Sequence, residues 1–117
     1  MRQYCEYKSS KTMTNTKTKE DQHLILSCVR ALQGEVTSSL RSVSAEFRYG
    51  KIIWQCVFDS EATDDDFDLV SSAAGEVIAD FNDYGLEEII IKVAFPEKMK
   101  NLDNLIYLRH ENNYYKD

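Results

Sequence analysis

The sequence predicts an α+β fold in which two helices pack on one face of a four-stranded, mostly antiparallel sheet. Two segments have the hydrophobic period of a helix, and four shorter segments have the apolar runs or alternation typical of β-strands. Their order is helix, two strands, helix, two strands. At 117 residues the chain suits one domain with a single core. We expect residues 1–19 to be a flexible basic arm and residues 20–117 to be the α+β domain.

The first helix is predicted over residues 20–33. Its apolar residues recur at the i, i+3, i+4, i+7 spacing of an amphipathic helix, and Gly34 supplies a C-terminal stop. The apolar positions are Ile25, Cys28, Val29, Leu32 and, beyond the helix, Val36.

A hairpin is predicted from residues 42–49 and 51–59, joined at Gly50, which tolerates the positive φ of a tight turn. The first run alternates between apolar and polar side chains, so one of its faces is buried. In the second run Ile53 and Val57 make the second face apolar as well. The second strand is therefore either central in the sheet or covered by a partner.

The second helix is predicted to begin after Thr63, because a threonine followed by three aspartates caps free backbone N–H groups and complements the helix dipole. It extends to about Phe81. The apolar stripe consists of Phe67, Val70, Ala74, Val77, Ile78 and Phe81. The opposite, exposed side carries Asp65, Asp68, Ser72, Glu76 and Asp83.

Two further strands complete the predicted sheet. Residues 87–95 are rich in isoleucine and valine and end before Pro96, and residues 105–110 form a short last strand.

Charge is distributed unevenly along the chain. The formal net charge is −6, yet residues 1–19 carry five basic groups against one glutamate. Residues 59–88 hold eleven acidic side chains and no lysine or arginine. Such a surface favours a cationic partner and repels phosphate, so we expect no nucleic-acid binding even though the arm is basic. These acids are Asp59, Glu61, Asp64, Asp65, Asp66, Asp68, Glu76, Asp80, Asp83, Glu87 and Glu88.

We expect no catalytic residues, no metal and no cofactor. The aspartates near Asp64 lack the glycine of a calcium loop, because the sixth residue of that loop would be Leu69. His23 and His110 have no suitably spaced companions for a zinc site. The sequence lacks a glycine-rich phosphate loop and has no apolar stretch long enough to span a membrane.

Cysteine usage favours a reducing compartment. Cys28 and Cys56 lie within apolar patterns, where a thiol packs as a small hydrophobic group and stays inert. We therefore expect a cytoplasmic protein.

Residues 22–110 resemble a family of small acidic bacterial immunity proteins of contact-dependent growth inhibition and related polymorphic toxin systems. The resemblance is one of overall pattern, in residues 23–36, 40–44, 58–66 and 75–81. It implies a cytoplasmic protein without catalytic activity that binds one toxin domain delivered by a neighbouring cell. That toxin domain forms the C-terminal part of a large secreted effector. Many toxins of this kind are nucleases with basic clefts, which an acidic surface could block.

The partner-binding prediction follows from charge and exposed aromatic groups. The predicted residues are Asp59, Glu61, Asp64, Asp65, Asp68, Glu76, Asp83, Tyr49 and Tyr84. An alternative is an adaptor that self-associates through the second face of the sheet, using Ile53, Val57 and Ile90.

Overall fold

The computed structural model describes residues 17–111 and confirms the predicted α+β class and element order. The helices are α1 (Lys19–Ala31) and α2 (Asp64–Ala79), and the strands are β1 (Leu40–Arg48), β2 (Lys51–Phe58), β3 (Gly85–Lys92) and β4 (Asn104–Leu108). Most of the predicted arm, residues 1–16, lies outside the described residues. Thr18 caps α1, and Lys19 is its first residue.

The four strands form one sheet in the order β3-β2-β1-β4. β1 pairs antiparallel with both β2 and β4, while β2 and β3 are parallel. Parallel neighbours need a crossover connection, and α2 supplies it between β2 and β3. The predicted mostly antiparallel sheet is therefore confirmed, with one parallel pair.

The hairpin between β1 and β2 turns at Tyr49 and Gly50. Both residues have positive φ, at 54° and 76°, as a two-residue type I′ turn requires. Arg48 pairs with Lys51 directly before the turn. The φ of Tyr49 is unusual for a residue with a side chain, because left-handed backbone brings Cβ close to the carbonyl oxygen.

The helices bury the face of the sheet that carries Val43, Trp54, Cys56 and Phe58. From α1, the fully buried side chains are Leu24 and Cys28 rather than the whole predicted stripe, and Val29 and Val36 are 43% and 40% exposed. That part of the prediction was wrong. The contacts of α1 with α2 turn the helix so that the small residues Ser27 and Ala31 face inward instead.

The opposite face of the sheet is covered by residues 93–103, which connect the two edge strands β3 and β4. Polar side chains of the central strands anchor this connection. Ser44 Oγ accepts a hydrogen bond from the Leu102 amide at 2.9 Å, and Gln55 Nε2 donates to the carbonyl of Lys100 at 2.8 Å. Asp103 N donates to Glu46 Oε1 at 3.1 Å.

This connection removes the surface on which the adaptor hypothesis rested. Ile53 and Val57 are 5% and 0% exposed. Ile90 packs against the helix-side core instead, so it does not share a surface with them. β2 is a central strand, and both of its faces are covered within the chain itself.

Candidate functional site

The outer face of α2 carries carboxylates without ion-pair partners among residues 17–111. At about 100° per residue, Asp65, Asp68 and Glu76 fall within about 80° of one another around the helix axis. All three are exposed. We call these three residues the α2 acidic stripe. Glu61 and Asp64 extend it at the start of the helix and Asp83 follows its end, and these acids are exposed as well.

Two other acids of the same region serve the fold. Asp66 completes a capping box, because its carboxylate accepts from the Thr63 amide while Thr63 Oγ1 accepts from the Asp66 amide. Ser39 also donates to Asp66 at 2.8 Å, which ties α2 to the segment before β1. Asp80 accepts from Ser27 Oγ at 2.6 Å and pairs with Arg30 at 2.9 Å. These hydrogen bonds lower the pKa of both carboxyls.

The predicted aromatic contacts lie at the hairpin end of the sheet. Tyr49, at the turn, is 95% exposed. Tyr84 is half-buried: its ring lies 4.8 Å from that of Phe47, and its hydroxyl donates to Glu20 at 3.3 Å. Tyr49 is thus free for a partner, whereas Tyr84 is already engaged within the fold. The Gly85 amide donates to the carbonyl of Gly50, which keeps the two tyrosines at the same end.

Asp59 is held by neighbours inside the protein. Its carboxylate pairs with Arg109 at 2.8 Å and accepts from the Phe95 amide at 3.0 Å. The side chain is 14% exposed. The Arg109 hydrogen bond, followed by the Phe95 amide, lowers the pKa of Asp59 to about 2. Asp59 therefore lies at the edge of the predicted surface with its charge neutralised.

A buried ion pair next to Asp59 was not predicted from the sequence. Arg41 is 1% exposed and makes a bidentate pair with Glu111, with both N···O distances at 2.8 Å. Its remaining nitrogen donates to the carbonyls of Val93 and Glu97, where the crossing connection begins. Arg41 is the extra residue of a β-bulge between Leu40 and Ser42, and single-sequence alternation does not reveal such a register shift.

The described residues show no arrangement typical of a metal centre or a reactive thiol. Residues 17–111 contain no cluster of three or more His, Cys, Asp or Glu side chains able to hold a metal ion. Burial raises the pKa of Cys28 to about 12 and raises that of Cys56 as well, so both thiols stay protonated at neutral pH. Among the same residues, neither helix is long and apolar enough to cross a membrane.

Together these features define a small α+β protein whose distinctive surface is a helix with a row of exposed carboxylates. The chain belongs to the MafI2 immunity protein family, whose family model matches residues 21–111. This membership confirms the resemblance to polymorphic toxin immunity proteins and indicates a toxin-neutralising immunity function. A comparison with curated proteins found no match.

Proposed function

We propose that the chain is a non-enzymatic immunity protein that binds a nuclease toxin domain of a contact-dependent growth inhibition system in the bacterial cytoplasm. The toxin domain is the C-terminal part of a large secreted effector, and the α2 acidic stripe lies against its basic surface. The observation that carries this proposal is the row of exposed, unpaired carboxylates on α2 of a MafI2-family chain.

Electrostatics support the proposal because no basic residue within residues 17–111 forms an ion pair with the stripe. Arg30 pairs with Asp80 just after α2, and Lys92 Nζ lies over the Phe67 ring of α2, so neither of these neighbouring cations pairs with the stripe. Exposed charges of one sign steer an oppositely charged protein and raise its association rate. A nuclease binds phosphate through basic residues, so carboxylates compete for the same groups.

Tyr49 supplies a different kind of contact at the hairpin end. Exposed tyrosines are enriched among the residues that dominate protein interfaces, because the ring buries a large area and loses little conformational entropy. Tyr49 has left-handed backbone at φ 54°, a conformation that glycine or asparagine adopts with less strain. We assign Asp59 and Tyr84 to shaping the surface, because both are held by internal partners.

Reversing the charge of the stripe tests this function. Asp68 and Glu76 lie beyond the first turn of α2, so changing both to lysine removes little of the helix-dipole stabilisation given by the acids at its start. At low salt we expect the D68K/E76K variant to associate at least about tenfold more slowly with the cognate toxin domain. Stopped-flow association kinetics measure this rate.

A matched control reverses Glu97 and Asp103, which are exposed and lie on the connection across the opposite face of the sheet. The E97K/D103K variant changes the net charge equally but leaves α2 intact, so its association rate should stay close to that of the parent. Equal slowing in both variants would show that net charge alone acts and would remove the α2 stripe from the mechanism.

A further inference from the structure

Strand β3 has a row of backbone hydrogen-bonding groups without a strand partner within residues 17–111. β3 lies at the edge of the sheet, so only one of its sides pairs with β2. The Gly85 and Val93 amides donate to the carbonyls of Gly50 and Phe58, at the two ends of β2. Because the N–H and C=O groups of successive residues point to opposite sides of a strand, the residues between them alternate between facing β2 and facing outward. The outward-facing residues are Leu86, Glu88, Ile90 and Lys92.

The strand at the other edge of the sheet is protected in a way that β3 is not. β4 has five residues, and its register against β1 shifts between Val43 and Ser44. Short length and bulges commonly keep an edge strand from pairing with another chain. β3 has eight residues, pairs with β2 without a register shift, and contains three consecutive isoleucines and no proline. A further strand can therefore add to the sheet at β3.

The charges of β3 are complementary to those of a second β3 strand that runs antiparallel. Glu88 and Lys92 are both exposed and lie two residues before and two residues after Ile90. Both side chains are on the side of the sheet that carries the helices. There Ser71 donates to Glu88 at 2.7 Å, and Lys92 Nζ lies 5.8 Å from the centre of the Phe67 ring. When Ile90 of each copy lies opposite Ile90 of the other, each Glu88 lies opposite Lys92 of the other copy.

The same register suits the backbone and the isoleucines. Glu88, Ile90 and Lys92 all face outward, so the three opposed pairs exchange about six backbone hydrogen bonds. On the other side of the sheet, Ile89 lies opposite Ile91 of the second copy, and Ile91 is 39% exposed in the single chain. A slip of two residues breaks the charge pairs, and a slip of four places like charges opposite each other, which is destabilising.

We propose that two copies of the chain associate through antiparallel pairing of their β3 strands, which joins the two four-stranded sheets into one. The copies are related by a twofold axis at Ile90, the symmetry most homodimers have. This inference goes beyond the proposed function and does not depend on it, because its partner is a second copy of the chain and its surface is a strand edge.

Charge reversal at Lys92 tests the pairing by sedimentation of the purified full chain. The measurement is made at about 0.15 M salt, where the Debye length of about 8 Å limits repulsion between two acidic copies. K92E places glutamates opposite each other twice, so the dimer should weaken at least about tenfold. E88K/K92E exchanges the two charges and should restore it. K19E is the control for net charge, because Lys19 is exposed at the start of α1, which contacts β1 and β4 rather than β3.

Amide hydrogen exchange gives a second measurement that pairing through another surface would not change in the same way. In the parent protein the outward amides of Glu88, Ile90 and Lys92 should exchange rapidly when dilute and slowly when concentrated. The alternate amides of β3, which face β2, should exchange slowly in both samples. Slow exchange of the outward amides at both concentrations would mean that the β3 edge is covered within one copy, and would overturn the inference.

Three other results would also overturn it. The first is a parent protein that stays monomeric up to about 1 mM. The second is a dimer that K92E and K19E weaken equally, or that E88K/K92E fails to restore, because the β3 charges then do not set the pairing. The third is protection of the outward amides only when the cognate toxin is bound, which would assign the edge to a strand of the toxin.

Discussion

At the residue scale, a network of four charged residues holds three separate segments together. Glu111 pairs with both Arg41 and Arg109, and Arg109 pairs in turn with Asp59. Through these residues the bulge in β1, the end of β2 and the segment after β4 are joined. Breaking one partner of a buried pair leaves an uncompensated charge, which costs more than the net value of the pair. The network is therefore a structural element of the fold.

Stability should fall in acid because of this network. The folded-state pKa of Asp59 is about 2, below its usual 3.8, so the group stabilises the fold above pH 4 and loses that contribution as pH falls towards 2. Glu111 acts in the same direction, since its hydrogen bond to Arg41 lowers its pKa. We expect D59N to cost roughly 1–2 kcal/mol at pH 7 and to flatten the loss between pH 4 and 2.

Urea unfolding across this pH range measures both effects. D64N is a suitable control, because Asp64 is exposed and its side chain has no hydrogen-bond or ion-pair partner within residues 17–111. An equal loss of unfolding free energy in D59N and D64N at pH 7 would mean that the Arg109 pair does not stabilise the fold.

The sequence predicted the charge of these residues but not their roles. The prediction groups Asp59 with the exposed acids because it is the first of the eleven acids in residues 59–88. Its partner Arg109 lies 50 residues away, and nothing local marks the pair. The helix start at Thr63 is easier to predict from the sequence, because the capping box joins Thr63 to Asp66, only three residues further along the chain.

At the element scale, local signals set the helices and the hairpin. The cap at Thr63 and the turn at Gly50 place α2 and the β1–β2 hairpin within a residue or two of their predicted bounds. The burial of α1 was less predictable, because Leu24 and Leu26 are equally apolar while only Leu24 faces the core. Which side of a helix packs inward depends on its neighbours in the fold.

The sequence also does not predict the parallel pairing of β3 with β2 or the connection that crosses the sheet. β3 lies beside β2 at one edge of the sheet, and β4 lies beside β1 at the other edge. Residues 93–103 therefore cross the sheet to connect β3 with β4. The buried serines and Gln55 that anchor this connection look like solvent-facing positions in an alternating strand. Their polarity is needed because they bond to the backbone above them.

Two glycines should respond oppositely to alanine. Gly75 is inside α2, and an added Cβ there meets nothing within 4 Å, so G75A should stabilise the protein by about 0.5–1 kcal/mol through helix propensity. Gly50 also has free space, but its φ is +76°, so G50A should destabilise by about 1 kcal/mol. Urea unfolding of both variants measures the difference. If G75A instead lowers the unfolding free energy, helix propensity is not what decides the effect of a side chain at this position.

At the scale of the whole molecule, function and stability place opposite demands on charge. The chain carries a net charge of −6, and the α2 acidic stripe concentrates part of it on one helix. Like charges so close repel one another, which weakens the compact state while attracting a cationic partner. The fold carries this surface because its core and its buried ion pairs do not depend on α2's outer face.

Salt should therefore act in opposite directions on folding and on binding. The Debye length shrinks from about 30 Å at 0.01 M to about 10 Å at 0.1 M, so added salt screens both the internal repulsion and the steering of the toxin. We expect the unfolding free energy to rise by a few tenths of a kcal/mol over this range, while association with the toxin slows several-fold. Urea unfolding and stopped-flow mixing at the two salt concentrations measure the pair of effects. In D68K/E76K, salt should change the unfolding free energy and the association rate less than in the parent, because the same carboxylates cause both effects. If the parent protein instead loses stability as salt is added, its surface ion pairs outweigh the repulsion between its acids.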